Sequence, residues 1–468
     1  MRRGKYLVKN ITAIAISNFA SKVIGFLLIP LYTRVLSTDE YGVYGLIATT
    51  LNVIIPVLTL NISDAVFRYA AIKNRPQGVL RIGLKFTIIG GLASVFLSCL
   101  LLLSGIIDVF GEYWIYLPLQ FILSSCFSTI NNYSLGNGKV TLVSIAGFLG
   151  TASVILTNLL FLIVFNMGLH GYFLASCISY LVQISILVMF GRILKDLRNE
   201  SIDDGVNGEM VSYSKPLIWN RIGWWVNDSS DKYLVSYFCG LAANGVYNLS
   251  YKIPTILNTF QGVFSQAWGL SAIKEYDSED KDFFYSKLYC IYNVMNVVLC
   301  AVLITANRPL AKILYANEFY EAWKYSPMLL IAAVFGGLSG FCGGILIAAK
   351  ESRIYSISTV VGAITNIILN IVMITRWEIM GAAIATVIST MIVWLIRILY
   401  IRRLTNLSIN PLLHIILYCF LMAQSIVDLI IDEMYGFAIN CIITIIVMGI
   451  SFLQVRPYIR EVLINRKN

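Results

Sequence analysis

The sequence predicts an all-α, polytopic membrane protein built from two related halves. Three observations carry that reading. Of 468 residues, 58% are apolar and only 13% are charged, whereas soluble domains run at about 45–50% and about 25%. Apolar stretches long enough to cross a bilayer recur along the whole chain. Lys and Arg gather in alternate connections between those stretches. A mean hydropathy of +0.77 leaves too little polar surface for a soluble enzyme.

A spanning helix needs roughly 20 mainly apolar residues. Candidate spans lie near 11–36, 42–67, 82–106, 113–134, 140–165, 169–191, 214–239, 243–271, 284–306, 325–349, 354–375, 379–401, 410–431 and 435–455, about fourteen in all. Those at 11–36, 42–67, 214–239 and 243–271 are the least apolar, so the alternative is about twelve spans with two of these four in the interface. The first run follows Met1-Arg2-Arg3 and continues from Ile11 to Leu36 without a small-residue cleavage pattern. It reads as a retained helix, not a signal peptide.

Orientation follows from the basic residues. With the N-terminus in the cytoplasm, most of the 35 Lys and Arg fall on the inside, as the positive-inside rule asks. Arg34, Arg308, Lys312, Lys324 and Arg376 fall outside, and Lys22, Arg221, Lys232 and Lys252 lie within spans. An even span count leaves both termini cytoplasmic. The net charge of +10 is therefore mostly topology, and nucleic acid is not an expected partner. The nine cysteines show neither CxxC pairs nor ligand spacing, so they read as small buried hydrophobes. His170 and His414 have no ligating partner at metal spacing, and no ATP-binding or hydrolase motif is present.

The polar stretch 192–213 divides the chain. It separates a first lobe, 1–191, from a second, 214–403, and residues 404–468 add two further helices and a tail. The lobes read as repeats. At one offset Ser144, Gly150 and Asn158 fall on Ser356, Gly362 and Asn370. After a short slip Gly171, Ala175, Ile178 and Ser179 fall on Gly381, Ala385, Ile388 and Ser389. Equal sidedness of the matched segments means a parallel repeat about the membrane normal. Gly336, Gly337, Gly340, Gly343 and Gly344 crowd the tenth span, where close helix packing is the expectation.

Ionisable groups inside spans are costly and face a bundle interior or wet cavity. Arg221, Asp228 and Lys232 are spaced to lie within about 40° on one helical face, flanked by Asp231. The next span carries a stripe of Asn248, Lys252, Thr255, Thr259 and Gln266. In the first lobe Asn18 and Lys22 share a face, and Asn52 leads toward Asp64. Such stripes cannot face lipid without losing hydrogen bonds, so they are expected to line a cavity between the halves. An i, i+4 pairing of Asp228 with Lys232 would leave Lys22, Arg221 and Lys252 as the least compensated cations. Excess positive charge in a wet cavity suits a phosphate or pyrophosphate.

Residues 21–44, SKVIGFLLIPLYTRVLSTDEYGVY, together with SDKYLV at 230–235, GVYNLSYK at 245–252, NIILN at 366–370 and GAAIAT at 381–386, resemble the Wzx-type polysaccharide flippases. These belong to the MOP superfamily, with the lipid II flippases and MATE exporters. The resemblance implies a two-lobed, V-shaped bundle working by alternating access in a bacterial inner membrane. It implies a substrate of undecaprenyl pyrophosphate carrying an oligosaccharide repeat unit, bound through Lys22, Arg221, Lys232 and Lys252. No cofactor is implied beyond a coupling ion, H+ or Na+, for which Asp228, Asp231 and Asp64 are the candidates. A repeat-unit polymerase and a chain-length regulator are the implied protein partners. Two competitors stand beside this reading: a MATE-like exporter of cations, and a membrane glycosyltransferase or polymerase. The excess of Lys and Arg opposes the first, and the short outside loops oppose the second.

Overall fold

The computed structural model describes residues 25–72, 77–199, 204–407 and 410–465, and among them there are helices and connections but no strand. The chain forms two compact units, Met1–Ser229 and Ser230–Asn468.

The first unit opens with α1 (Ile29–Val35) and α2 (Thr38–Leu58). A capping box starts α2: Ser37 Oγ accepts from the Glu40 amide at 3.1 Å, and the Ser37 amide donates to Glu40 Oε2 at 2.9 Å. The expected single span 42–67 is in fact broken. Pro56 lies inside α2, and Leu60 and Asn61 take left-handed φ of 53° and 50°. A right-handed helix cannot continue through such residues, so α3 (Ile62–Ala70) starts afresh. There follow α4 (Val79–Leu103), a 3₁₀ segment Ile106–Ile115, α5 (Tyr116–Gly136), α6 (Val140–Asn158), which runs on through a π segment to Val164, then α7 (Gly168–Phe190) and α8 (Ile193–Asn199). Helix α9 (Asp204–Cys239) begins in this unit and ends in the second. Val66, Ile82, Tyr133, Leu187 and Met210 share one buried core. The polar stretch 192–213 is thus largely helical, and Ile193, Val206 and Met210 anchor it there.

The second unit continues with α10 (Leu241–Ser250), α11 (Lys252–Glu275), α12 (Lys281–Thr305), α13 (Asn307–Leu314), a 3₁₀ segment Asn317–Lys324, α14 (Ser326–Ala348), α15 (Ser352–Leu404), α16 (Pro411–Ile430) and α17 (Glu433–Asn465). The 53 residues of α15 hold two of the expected spans, because Glu378 breaks the helix at φ 49° and ψ −132°. The halves then run back along each other, with Asn366 Nδ2 donating to Ser389 Oγ at 3.2 Å. In the first unit the repeat-matched Ser179 Oγ donates to the Gly150 carbonyl at 2.9 Å. Ser179 and Ser389, aligned by the repeat spacing, each join two neighbouring helices, though through different partners.

Glycine lets α14 sit at the centre of its unit. A Cβ on Gly344 would lie 2.4 Å from Trp268, and one on Gly343 would lie 2.7 Å from Tyr355 and 3.1 Å from Arg397. Gly336 and Gly340 meet nothing within 4 Å, so only part of the glycine cluster serves close packing. The last two helices are tied to α12 by polar contacts, among them Tyr418 OH to Asn293 Oδ1 at 2.8 Å and Thr305 to Thr444 at 2.8 Å.

Nine described helices are long and apolar enough to cross a membrane, α15 counting once. Helices α5, α9 and α11 occupy further expected spans but carry more polar residues. Most of the expected first span lies outside the described residues. The protein is an all-α, multi-pass membrane protein, as the composition predicts.

Gly343→Ala and Gly336→Ala form a matched test on one helix. The first forces Tyr355 and Arg397 to move and should destabilise the protein by about 1–3 kcal/mol; the second should be neutral. Thermal unfolding of both variants in detergent checks this, and equal melting temperatures would refute the packing assignment.

Candidate functional site

The structure distributes the expected site residues over both units, and each unit holds its own cluster. Asn18 and Lys22 lie outside the described residues, as do the side chains of Asp228 and Gln266. Asn52, Asp64 and Arg221 belong to the first unit; Asp231, Lys232, Asn248, Lys252, Thr255 and Thr259 belong to the second.

In the first unit the cluster is an ion pair. Asn61, left-handed, precedes the first turn of α3 and places Asp64 there. Its Nδ2 donates to Asp64 Oδ2 at 2.8 Å. Arg221 reaches the same oxygen at 3.1 Å. One turn further along α9, Trp225 Nε1 donates to the Thr49 carbonyl at 2.8 Å and fixes the helix against α2. This corrects the reading of Arg221 as one of the least compensated cations: Asp64 of another helix pairs with it. The side chains of Arg221 and Asp64 are 54% and 30% exposed, so water competes for both and the pair is weak and exchangeable. Asn52 is exposed.

In the second unit the cluster is a buried carboxyl wrapped by donors. Asp231 is 2% exposed. Its Oδ2 accepts from the phenols of Tyr247 at 2.5 Å and Tyr251 at 2.7 Å, and its Oδ1 accepts from the Lys232 amide at 2.9 Å. The two phenols also touch each other at 3.0 Å. The Lys232 ammonium sits 5.6 Å from the centre of the Tyr251 ring, within cation–π range. Three donors on one carboxylate make it a strong acceptor held in place. Ion or proton capture at Asp231 would displace phenols already bound there. On the α11 stripe Thr255 and Thr259 return their hydroxyls to the Tyr251 and Thr255 carbonyls. Asn248 Nδ2 is buried without a hydrogen-bond partner among the described residues, which leaves it a donor to offer.

Two ionic sites escaped the sequence reading. Arg397 counted there as a cytoplasmic charge, yet it is 2% exposed. It donates to Ser358 Oγ, the Ser339 carbonyl and Thr359 Oγ1 at 2.8–2.9 Å, and stacks on Tyr355 at 4.3 Å. Its guanidinium fork, with five donors, clasps α14 to both halves of α15. Asp428 is the second: it pairs with Arg308 at 3.4 Å beneath the α16–α17 turn. The available signal was position, since Arg397 and Asp428 each fall inside an expected span.

Comparison with known proteins agrees with this architecture. A family model described as polysaccharide biosynthesis protein matches residues 7–268. Two uncharacterized membrane proteins of Methanocaldococcus jannaschii are similar in sequence. MJ1375 is 24% identical over 85% of this chain and 98% of its own length. MJ1068 is 26% identical over 54% of this chain and 52% of its own, so the match spans about half that relative. Among solved structures, lipid II flippase MurJ in an inward closed conformation superposes with a TM-score of 0.65 at 15% identity, over 95% of this chain and 99% of that one. An inward-facing multidrug resistance MATE family transporter of the MOP superfamily gives 0.67 at 14% identity, over 83% and 97%. These likenesses show a shared fold.

Removing the donors on Asp231 tests its role as a held anion. Tyr247→Phe and Tyr251→Phe should each lower stability by about 1.5–3 kcal/mol, the worth of a hydrogen bond to a charged group, and together by less than the sum because the phenols are coupled. Thermal unfolding reads this, and a double variant as stable as the parent would sink the assignment.

Proposed function

The chain belongs to the polysaccharide biosynthesis protein family, and from that membership we propose that it is a flippase for lipid-linked oligosaccharides. It carries an undecaprenyl-pyrophosphate-linked repeat unit from the cytoplasmic to the outer leaflet of a bacterial inner membrane, for surface polysaccharide synthesis. It works by alternating access and not as an enzyme, and both termini are cytoplasmic.

The observation that carries the reading is the half-exposed Asp64–Arg221 pair. A pyrophosphate is a stronger partner for a guanidinium than one solvated carboxylate, because it offers bidentate oxygens at higher charge. Arriving head group displaces Asp64 from Arg221, with Lys22, Lys232 and Lys252 adding charge. The freed Asp64 carboxylate is then open to a proton or Na+, which links cargo to a coupling ion without a cofactor. Asp228 and Asp231 remain the other coupling candidates, with Asp231 the harder to free. Asn18, Asn52, Asn248, Thr255, Thr259 and Gln266 offer hydrogen bonds to sugar hydroxyls, and the prenyl chain stays in lipid. A polymerase and a chain-length regulator act on the delivered units.

Two measurements test this. Lys22→Ala with Lys252→Ala should abolish surface polymer while leaving membrane insertion intact; undiminished polymer would overturn the cationic-cavity reading. In proteoliposomes the wild-type protein should change the sidedness of a lipid-linked oligosaccharide without releasing sugar or phosphate. Released product would mean an enzyme instead.

A further inference from the structure

The ends of α12, α13, α16 and α17 surround a pocket of about 390 Å³, lined in part by Thr305, Arg308, Asp428, Glu433 and Phe437. Its rim is wet: the Lys312–Glu433 pair, 2.6 Å apart, has side chains 55% and 40% exposed. Its floor is dry: the side chains of Arg308 and Asp428 are 11% and 6% exposed. We propose that Asp428 is a proton-exchange site, taking up and releasing a proton through water held in this pocket.

The surroundings of Asp428 satisfy both of its protonation states. As a carboxylate it faces Arg308 Nε at 3.4 Å and accepts from Asn307 Nδ2 at 2.8 Å. As a neutral acid it becomes a donor as well, and needs an acceptor nearby. Asn307 is oriented by its Nδ2, which also donates to the Trp323 carbonyl at 2.9 Å. Its Oδ1 is buried with no hydrogen-bond partner among the described residues, so a pocket water between the acid and this oxygen would accept the proton's hydrogen bond. Arg308 does not depend on the charge either. Its terminal nitrogen donates to the carbonyls of Asp428 and Ile431, and its guanidinium lies 4.1 Å from the centre of the Trp323 ring. A buried cation abandoned by its only partner would be severely destabilised; this one keeps two carbonyls and an aromatic face.

Behind the carboxylate lies a group of amides that ask for water. Gln424, one turn earlier on α16, and Asn440 on α17 are completely buried. Gln424 Oε1 and both side-chain polar atoms of Asn440 have no hydrogen-bond partner among the described residues. Gln424 Nε2 is committed to Thr444 Oγ1 at 2.8 Å and the Asn440 carbonyl at 3.2 Å. Buried polar atoms left over in this way are normally met by ordered water, and Thr305, which touches Thr444, also lines the pocket. The charged and titratable groups around Asp428 are Arg308 and Lys312 on α13, Glu433 on α17 and Tyr320 in the 3₁₀ segment; α12 and α16 add Thr305, Gln424 and no charge. The step balances simply. A hydronium in the pocket gives its proton to an Asp428 oxygen and leaves as water, while Arg308 stays charged. This site uses none of the residues assigned to cargo binding and does not depend on what is transported.

The test is difference infrared spectroscopy of the full-length protein in lipid nanodiscs, titrated over the range in which it stays folded. A carboxylic-acid band should rise on acidification, shift promptly in D2O, and be missing in Asp428→Asn. Arg308→Gln should move the midpoint upward by about one pH unit or more, because a neighbouring cation favours the carboxylate. Should Asp428→Asn fail to fold, Gln424→Leu with Asn440→Leu should still slow the D2O shift severalfold by removing the water-holding amides. An identical titration in wild type and Asp428→Asn, a midpoint unmoved by Arg308→Gln, or a band indifferent to D2O would each overturn the proposal.

Discussion

Hydrocarbon offers no hydrogen bonds, so a polar side chain carried into a membrane by this chain needs a partner within the protein, on its own helix or a neighbouring one, or in water held there. That constraint organises both units. It explains why the contacts that join helices so often involve hydroxyls, amides and phenols: Ser179 on the Gly150 carbonyl, Asn366 on Ser389, Tyr418 on Asn293. Apolar packing against apolar lipid gains little for such pairs, whereas a misplaced amide loses its only acceptor. Close approach is the companion requirement. The glycines of α14 that meet Trp268 and Tyr355 let side chains from neighbouring helices reach across.

The same constraint sorts the charges by what they can do. Asp231 and Arg397 are fully wrapped by donors and acceptors respectively, and charges held so tightly serve the architecture. Asp64 and Arg221 share a contact that water also reaches, and such a contact can be traded for a ligand at little cost. Asp428 lies between these cases, buried yet lining a pocket and next to an amide oxygen with no partner among the described residues. Function in a membrane bundle is best sought where satisfaction is incomplete or exchangeable.

Fold and cargo are separate questions here. The architecture is shared with proteins that carry unlike molecules, so it cannot by itself choose a substrate. The proposed choice of cargo rests on charge, since the basic residues expected within spans outnumber the carboxylates there. The Asp64 partner on Arg221 refines the proposal, since a cargo that displaced it would free a carboxylate.

Much of the fold was legible in composition and spacing. Helical class, multi-pass character and the turn near Glu378 follow from apolar runs, because lipid imposes length and polarity on each segment independently of its neighbours. The break of the second span at Leu60–Asn61 was not legible, since left-handed residues leave no trace in hydropathy. Nor were the partners of the charges. Helical spacing suggested that Asp228 would answer Lys232 and leave Arg221 unmatched, but Arg221 is answered by Asp64, 157 residues away. The sequence by itself determined which segments enter the membrane, because length and polarity are read one helix at a time. Only the tertiary structure decided which of them are paired, wrapped or left with a hydrogen bond to offer, because that depends on distances between helices far apart in the chain.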